Sequence, residues 1–399
     1  MYIEYLISII LAFIVSFSAT PVAKKIAFKI GAVDYPKDAR RIHNKPIALF
    51  GGAAIITGFL ITIFYNLIVE TDIFIPDRRL WGLLAGVVII VIMGIIDDIK
   101  HIGAKTKLLF QILAAITVVL ISDTKISVFT NPFSEQGYIE LSDYISYPLT
   151  ILWIVGITNA INLIDGLDGL AAGVSSISSL SLFFVSVLGV SLEPGHNISI
   201  LTAALAGATL GFLPFNFNPA KIFMGETGSA FLGFTLGVIS IQGMLKSYAT
   251  ISIVIPLLVL GLPIFDTALA IIRRLINGKP VMTADRGHLH HKLIDMGLSQ
   301  KQSVMILYLA SAALGLGAIV LANKGALSAV ILLITISAFV IGGARYMSEI
   351  SNDVYEENNK DQKGSASNER LREKLIDKVD QNKNTSKIVI KDMKKLENP

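Results

Sequence analysis

This chain of 399 residues has no cysteine, which excludes disulfides and thiolate metal sites. It has no basic region ahead of its first apolar run and no small-residue cleavage site. With Glu4 at the start of that run, the segment is expected to stay as a helix rather than leave as a signal peptide. Repeats of solenoid type are missing. Charge is sparse, at 16% of residues with a net +4, so its distribution matters more than its sum. What fills the chain instead is apolar: 53% of residues are hydrophobic and the mean hydropathy is +0.65, far above a soluble domain.

A bilayer core about 30 Å thick needs roughly 20 apolar residues per helix, and many runs here approach or exceed that length. They predict an all-α integral membrane protein with about eleven spans. The spans are Tyr2–Ala23, Ile47–Val69, Leu80–Ile96, Lys107–Ser122, Tyr147–Thr158, Leu170–Leu192, Ile198–Phe215, Ser229–Leu245, Thr250–Ile272, Ser303–Ala322 and Ala326–Tyr346. The short fifth span is expected to continue as helix into the polar run that follows it. Lys125–Phe129 and Tyr138–Leu141, around a Pro/Gly turn, predict a small hairpin. One set of loops carries most of the Lys and Arg, while the opposite set holds only Arg78, Arg79, Lys125, Lys246 and Lys324. The positive-inside rule then puts the N-terminus outside and the C-terminus in the cytoplasm. Residues 1–346 read as the membrane domain, and 347–399 as a polar, basic, partly disordered cytoplasmic tail.

Four polar clusters interrupt the apolar runs, each at a span end on the cytoplasmic side. Asp97-Asp98 can orient a cation or act as a base, or simply stop a helix at the interface. Lys105 and Lys107 follow closely and suit a phosphate. Asn159, Asn162, Asp165 and Asp168 recur every third residue, a spacing that keeps neighbours on roughly one helical face. Their oxygens are hard ligands suited to Mg²⁺. Phe223–Ser229 contains Glu226 and two glycines at a helix start. It lacks the Gly-Lys-Ser/Thr ending of a Walker A loop, but its N–H groups can face a phosphate. Asp285, Arg286, His288, His290 and His291 crowd one loop. No cysteine or nearby Glu completes a zinc pattern there, which favours anion binding.

Taken in order, five motifs resemble the polyprenyl-phosphate N-acetylhexosamine-1-phosphate transferase family, across roughly Tyr2–Tyr346. They are Val33–Pro36 with Arg41–Pro46 and Gly51-Gly52, Asp97-Asp98, Asn159–Gly169, Phe223–Ser229, and Asp285–His291. The His-Leu-His-His form and the span number are similar to the bacterial branch that uses UDP-GlcNAc. The resemblance implies transfer of GlcNAc-1-phosphate from UDP-GlcNAc to undecaprenyl phosphate, releasing UMP, with Mg²⁺ or alternatively Mn²⁺ as cofactor. It implies catalytic roles for Asp97 and Asp98, and metal binding by Asn162 and Glu226. Substrate contacts would come from Lys45, Lys107, Asn159, Asp165, Asp168, Phe223, Arg286, His288, His290 and His291, with Phe223 stacking on uracil. The implied partners are those two substrates, membrane lipid and a second copy as homodimer, with no nucleic acid. The implied location is the bacterial cytoplasmic membrane, with the site on the cytoplasmic face. Where the family usually has Asp, this chain has Glu226, one methylene longer. Asp98→Asn is expected to abolish turnover and leave the fold intact. Competing readings are the same chemistry on another UDP-sugar, an ion-coupled transporter, and a scaffold. The transporter expects acids in mid-span and broken helices, and the scaffold leaves the polar clusters unexplained.

Overall fold

The computed structural model describes residues 2–35, 46–69, 74–130, 138–188, 197–243, 253–278, 280 and 287–334. Residues 1–333 form one compact unit. Its helices include α1 (Tyr2–Ile30), α2 (Gly52–Val69), α3 (Arg78–Lys100), α4 (Ala104–Ser122), α5 (Asp143–Ile164), α6 (Leu170–Leu188), α7 (Ile198–Asn216), α8 (Gly225–Gln242), α9 (Val254–Val259), α10 (Gly261–Ile276), α11 (Leu289–Asp295) and α12 (Gln300–Lys324). The tail expected at 347–399, and the end of the eleventh predicted span, lie outside the described residues.

The protein is an integral membrane, helical one. Among the described residues eight helices are long and apolar enough to cross a membrane: α1 to α7 and α12. Helix α8 is not one of the eight, yet it is buried at every position from Thr227 to Gln242. It is the centre of the bundle, packed by α3, α5 and α2. The predicted ninth span, Thr250–Ile272, is divided at Leu260 into α9 and α10, with Pro263 just after the break. Proline lacks the N–H that a continuous helix would need there. Burial falls outward from the centre. In α7, 78% of the apolar window is buried, against 28% in α1, whose Leu6, Ile10, Phe13, Ile14 and Phe17 are exposed. In a membrane protein such a face belongs against lipid.

Helix ends follow local chemistry. Asp77 accepts a hydrogen bond from Leu80 N–H at 2.9 Å and starts α3. That helix runs past the predicted Ile96 stop, through Asp97 and Asp98, to a left-handed His101 whose N–H bonds Asp97 O. Ser299 and Gln302 form a reciprocal capping box on α12. The expected continuation of the fifth span into the Asn159 run is present, since α5 reaches Ile164. The expected hairpin is also present, as β3 (Val128–Thr130) paired antiparallel with β4 (Tyr138–Glu140). A second two-stranded pair, β1 (Val33–Asp34) with β2 (Ile47–Ala48), was not anticipated.

Candidate active site

Four helix ends meet at one end of the bundle: the last turns of α3 and α5 and the first turns of α4 and α8. The close approach depends on glycine. A Cβ on Gly94 of α3 would lie 2.4 Å from Thr227 Cα, and one on Gly52 of α2 would lie 2.3 Å from Gly228 Cα. Gly51 and Gly52 donate backbone hydrogen bonds to Phe223 O and Met224 O, and Phe223 N–H donates to Ala48 O. The loop before α8 is thereby stitched to the strand pair, and the half-buried Phe223 is held by its backbone.

The two adjacent aspartates have different jobs. Asp98 spends both oxygens on the start of α8. Oδ1 accepts from Glu226 N–H at 2.7 Å, and Oδ2 accepts from Thr227 N–H at 3.2 Å and Thr227 Oγ1 at 2.5 Å. It caps, from a neighbouring helix, a terminus that has no side-chain cap of its own. Asp97 points the other way. Its Oδ2 meets Lys107 Nζ at 2.8 Å, while its Oδ1 is buried without a hydrogen-bond partner. Lys107 also reaches Glu226 Oε2 at 3.1 Å. Asn162 donates through Nδ2 to the same Glu226 oxygen at 2.9 Å and to Ser229 Oγ at 2.8 Å. With its amide hydrogens turned to those partners, Asn162 keeps its carbonyl oxygen as an acceptor. Asp97, Lys107, Asn162 and Glu226 thus form one connected polar group.

The rest of the Asn159 run divides between this group and the scaffold. Asn159 donates to Gln111 Oε1 at 2.7 Å and ties α5 to α4. Asp165 is half-buried at the C-terminal end of α5. Desolvation pushes its carboxyl up to about 7, and the charges of Glu226, Asp98 and Asp168 push the same way. Asp168 Oδ2 accepts from Asn218 Nδ2 at 3.0 Å and Ala220 N–H at 2.9 Å, which fixes the loop after α7. Tyr308 of α12 donates to Gly169 O and covers Gly173.

The histidines also reach the run, at Gly166. His290 is buried, and its Nε2 sits 2.5 Å from where a Gly166 Cβ would be. Its ring lies parallel to that of His288, with centroids 5.8 Å apart, and 4.3 Å from that of His291. Burial, and then His291, hold the His290 imidazole down to about 4, so it is neutral at physiological pH. His288 Nδ1 pairs with Asp266 Oδ2 at 2.9 Å, and Leu289 N–H donates to Asp266 Oδ1 at 2.8 Å.

The structure therefore brings together Asp97, Asp98, Lys107, Asn162, Asp165 and Glu226, with Asn159 and Asp168 behind them and His288, His290 and His291 alongside. Lys45 and Arg286 lie outside the described residues. Sequence reasoning placed Thr227 and Ser229 in a motif without giving them a role, and overlooked Gln111 and Asp266. For Asp266 a signal existed, since it is the sole acid in the apolar run Thr250–Ile272.

The chain is similar to known proteins along most of its length. The glycosyl transferase family 4 profile matches residues 80–244, from the start of α3 to just past α8. A probable undecaprenyl-phosphate N-acetylglucosaminyl 1-phosphate transferase of Bacillus subtilis (strain 168) is 44% identical over 324 residues, 80% of this chain and 86% of that one. A decaprenyl-phosphate N-acetylglucosaminephosphotransferase of Mycobacterium tuberculosis is 34% identical, covering 75% of this chain and 78% of its own. An undecaprenyl-phosphate alpha-N-acetylglucosaminyl 1-phosphate transferase of Escherichia coli O157:H7 is 29% identical, covering 73% and 77%.

Proposed function

The chain belongs to glycosyl transferase family 4, and from that premise we propose that it transfers GlcNAc-1-phosphate from UDP-GlcNAc to undecaprenyl phosphate. The single observation that carries this reading is the polar group of Asp97, Lys107, Asn162 and Glu226 at the ends of membrane helices. An acceptor that stays in the bilayer and a nucleotide sugar that arrives from water meet only at such an interface. The loop charges support a cytoplasmic face, in the bacterial plasma membrane. The product would be the lipid-linked first sugar of an envelope polysaccharide.

In this reading an oxygen of the lipid phosphate attacks the sugar-bearing phosphorus of UDP-GlcNAc. The bond from that phosphorus to the bridging oxygen breaks, and UMP leaves with the bridging oxygen. The lipid phosphate is already anionic, so no base is needed to make it a nucleophile. Asp98 is committed to capping α8, which favours direct attack over a covalent intermediate on that residue.

The residues fit a divalent cation. A buried carboxylate oxygen with no partner, on Asp97, is costly in an apolar setting unless a cation faces it. Asp97, Glu226 and the Asn162 carbonyl are hard oxygen donors of the kind Mg²⁺ takes. Mg²⁺ held there would neutralise charge on the diphosphate and on the departing UMP. Lys107 now supplies that positive charge to Asp97 and Glu226, and a phosphate would take it over. Asp98 holds Glu226 in place through the Glu226 N–H, Asn162 orients the Glu226 carboxylate, and Phe223, three residues before Glu226, would be the residue to stack on uracil.

The test is UMP release by detergent-purified protein given UDP-GlcNAc, with and without undecaprenyl phosphate and Mg²⁺. Release that needs all three is the expected result. No release from folded protein, with UDP-GlcNAc or any other UDP-sugar in a panel, would sink the reading.

A further inference from the structure

Asp266 is a buried acid with no part in the reaction above. It is only 4% exposed, in the second turn of α10, and both of its oxygens bind the segment that carries the histidines. As a carboxylate it can only accept, so His288 must donate through Nδ1. That sets the ring: the Nδ1 proton faces Asp266, and Nε2 faces away with its lone pair, or with a second proton when the ring is charged. The other oxygen accepts from Leu289 N–H, in the first turn of α11. Helix α10 holds the segment at a further point one residue earlier. The Arg273 guanidinium packs so closely on Gly287 that a Cβ there would lie 2.2 Å from Arg273 Cζ. His290, two residues on from His288, is then set against Gly166, between Asp165 and Leu167.

We propose that Asp266 is a positioning residue for the transfer: its carboxylate fixes the tautomer and orientation of His288, and so the register of the histidines against Gly166. The proposal rests on the transferase reading for its kinetic consequence, but not for its structural one. A purely structural Asp266 would need only to hold α11, which any acceptor for Leu289 N–H would do. The second oxygen does something an amide cannot. Asn at this position keeps an acceptor for Leu289 and offers N–H to His288 Nδ1. The ring must then accept there, which moves its proton to Nε2.

Asp266→Asn therefore separates the two roles. We expect kcat/KM for UMP release to fall about 10- to 100-fold, as for other residues that orient a functional histidine, with the melting temperature unchanged. In ¹⁵N-histidine NMR spectra the His288 signals, assigned by their loss in His288→Gln, should change from the Nδ1–H to the Nε2–H pattern. The double variant Asp266→Asn/His288→Gln should be no slower than His288→Gln alone. Unchanged His288 signals would overturn the proposal, as would losses that multiply in the double variant, or wild-type kcat/KM in Asp266→Asn. The spectra need no substrate. If wild-type protein released no UMP, the transferase reading would fail while the tautomer result still judged Asp266.

Discussion

Asp97 and Asp98 are neighbours in sequence and opposites in the site, and substitutions should separate them. Asp97→Asn removes the charge that Lys107 faces and the oxygen that a cation would take, so turnover should be lost while the protein melts normally. Asp98→Asn keeps one acceptor of two and loses the negative charge at the start of α8. It should lower stability by about 1–2 kcal/mol as well as activity, with the protein still folded. Melting curves of the two variants make the comparison. Lys107→Met leaves Asp97 and Glu226 without their counter-charge. Its melting temperature should be lower in EDTA and should rise more with added Mg²⁺ than that of the wild type. An equal rise in both would contradict Lys107 and the cation sharing one place.

His290 also makes a prediction at the scale of single residues. Its imidazole is held down to about 4 in the folded protein, against about 6.5 when unfolded. Between those values the unfolded chain binds the extra proton, so this contribution to stability is full above about pH 6.5 and is lost as the pH falls toward 4. By pH 5 the loss is about 2 kcal/mol. Asp165 acts in the opposite sense, because its raised value makes the folded state the better proton binder between about 4 and 7. The His290 contribution is therefore read as the difference in acid sensitivity between wild type and His290→Asn. The variant should lose less melting temperature between pH 7 and pH 5.

Among the elements, α8 decides the geometry. Its first turn carries Glu226 and Thr227, with Ser229 just beyond, and its flank is crossed closely by α3 at Gly94 and by α5 at Gly233. Gly94→Ala would put a methyl 2.4 Å from Thr227 Cα. Backbone cannot swing aside like a side chain, so α3 and α8 must part. We expect about 1–3 kcal/mol of destabilisation and a loss of activity larger than melting alone explains, since Asp98 would be drawn off Thr227. Wild-type melting and activity in this variant would contradict that close crossing. The extents of α3 and α5 were nearly readable from apolar periodicity and polar ends. The division of α9 from α10 was signalled only by Pro263, and the β1–β2 pair by no pattern in the sequence.

For the whole molecule the question is which face of the membrane holds the site. The absence of cysteine gives a clean test, because an introduced thiol has no background. Lys105 is exposed beside the start of α4, and Tyr144 is 93% exposed at the start of α5, on the opposite side by alternation. Lys105→Cys should resist an impermeant maleimide in intact cells and react in inverted vesicles, and Tyr144→Cys should do the reverse. The opposite pattern would overturn the orientation and with it the cytoplasmic site.

Composition and pattern alone established a membrane helical bundle, because backbone in a bilayer must satisfy itself within helices and each helix needs an apolar run of matching length. They also brought out the polar clusters, since acids, amides and histidines at apolar span ends are conspicuous. Which oxygen of which cluster is free could not be read there. Asp98 meets its partners 128 positions away in the chain, and Asp266 meets His288 at 22. Those pairings depend on how helices cross, where glycines let backbones touch, and which side chain the last turn of α3 turns inward. Packing, rather than residue type, made Asp98 a cap, left Asp97 Oδ1 bare, tied Asp168 to the loop after α7, and gave Asp266 its hold on the histidines.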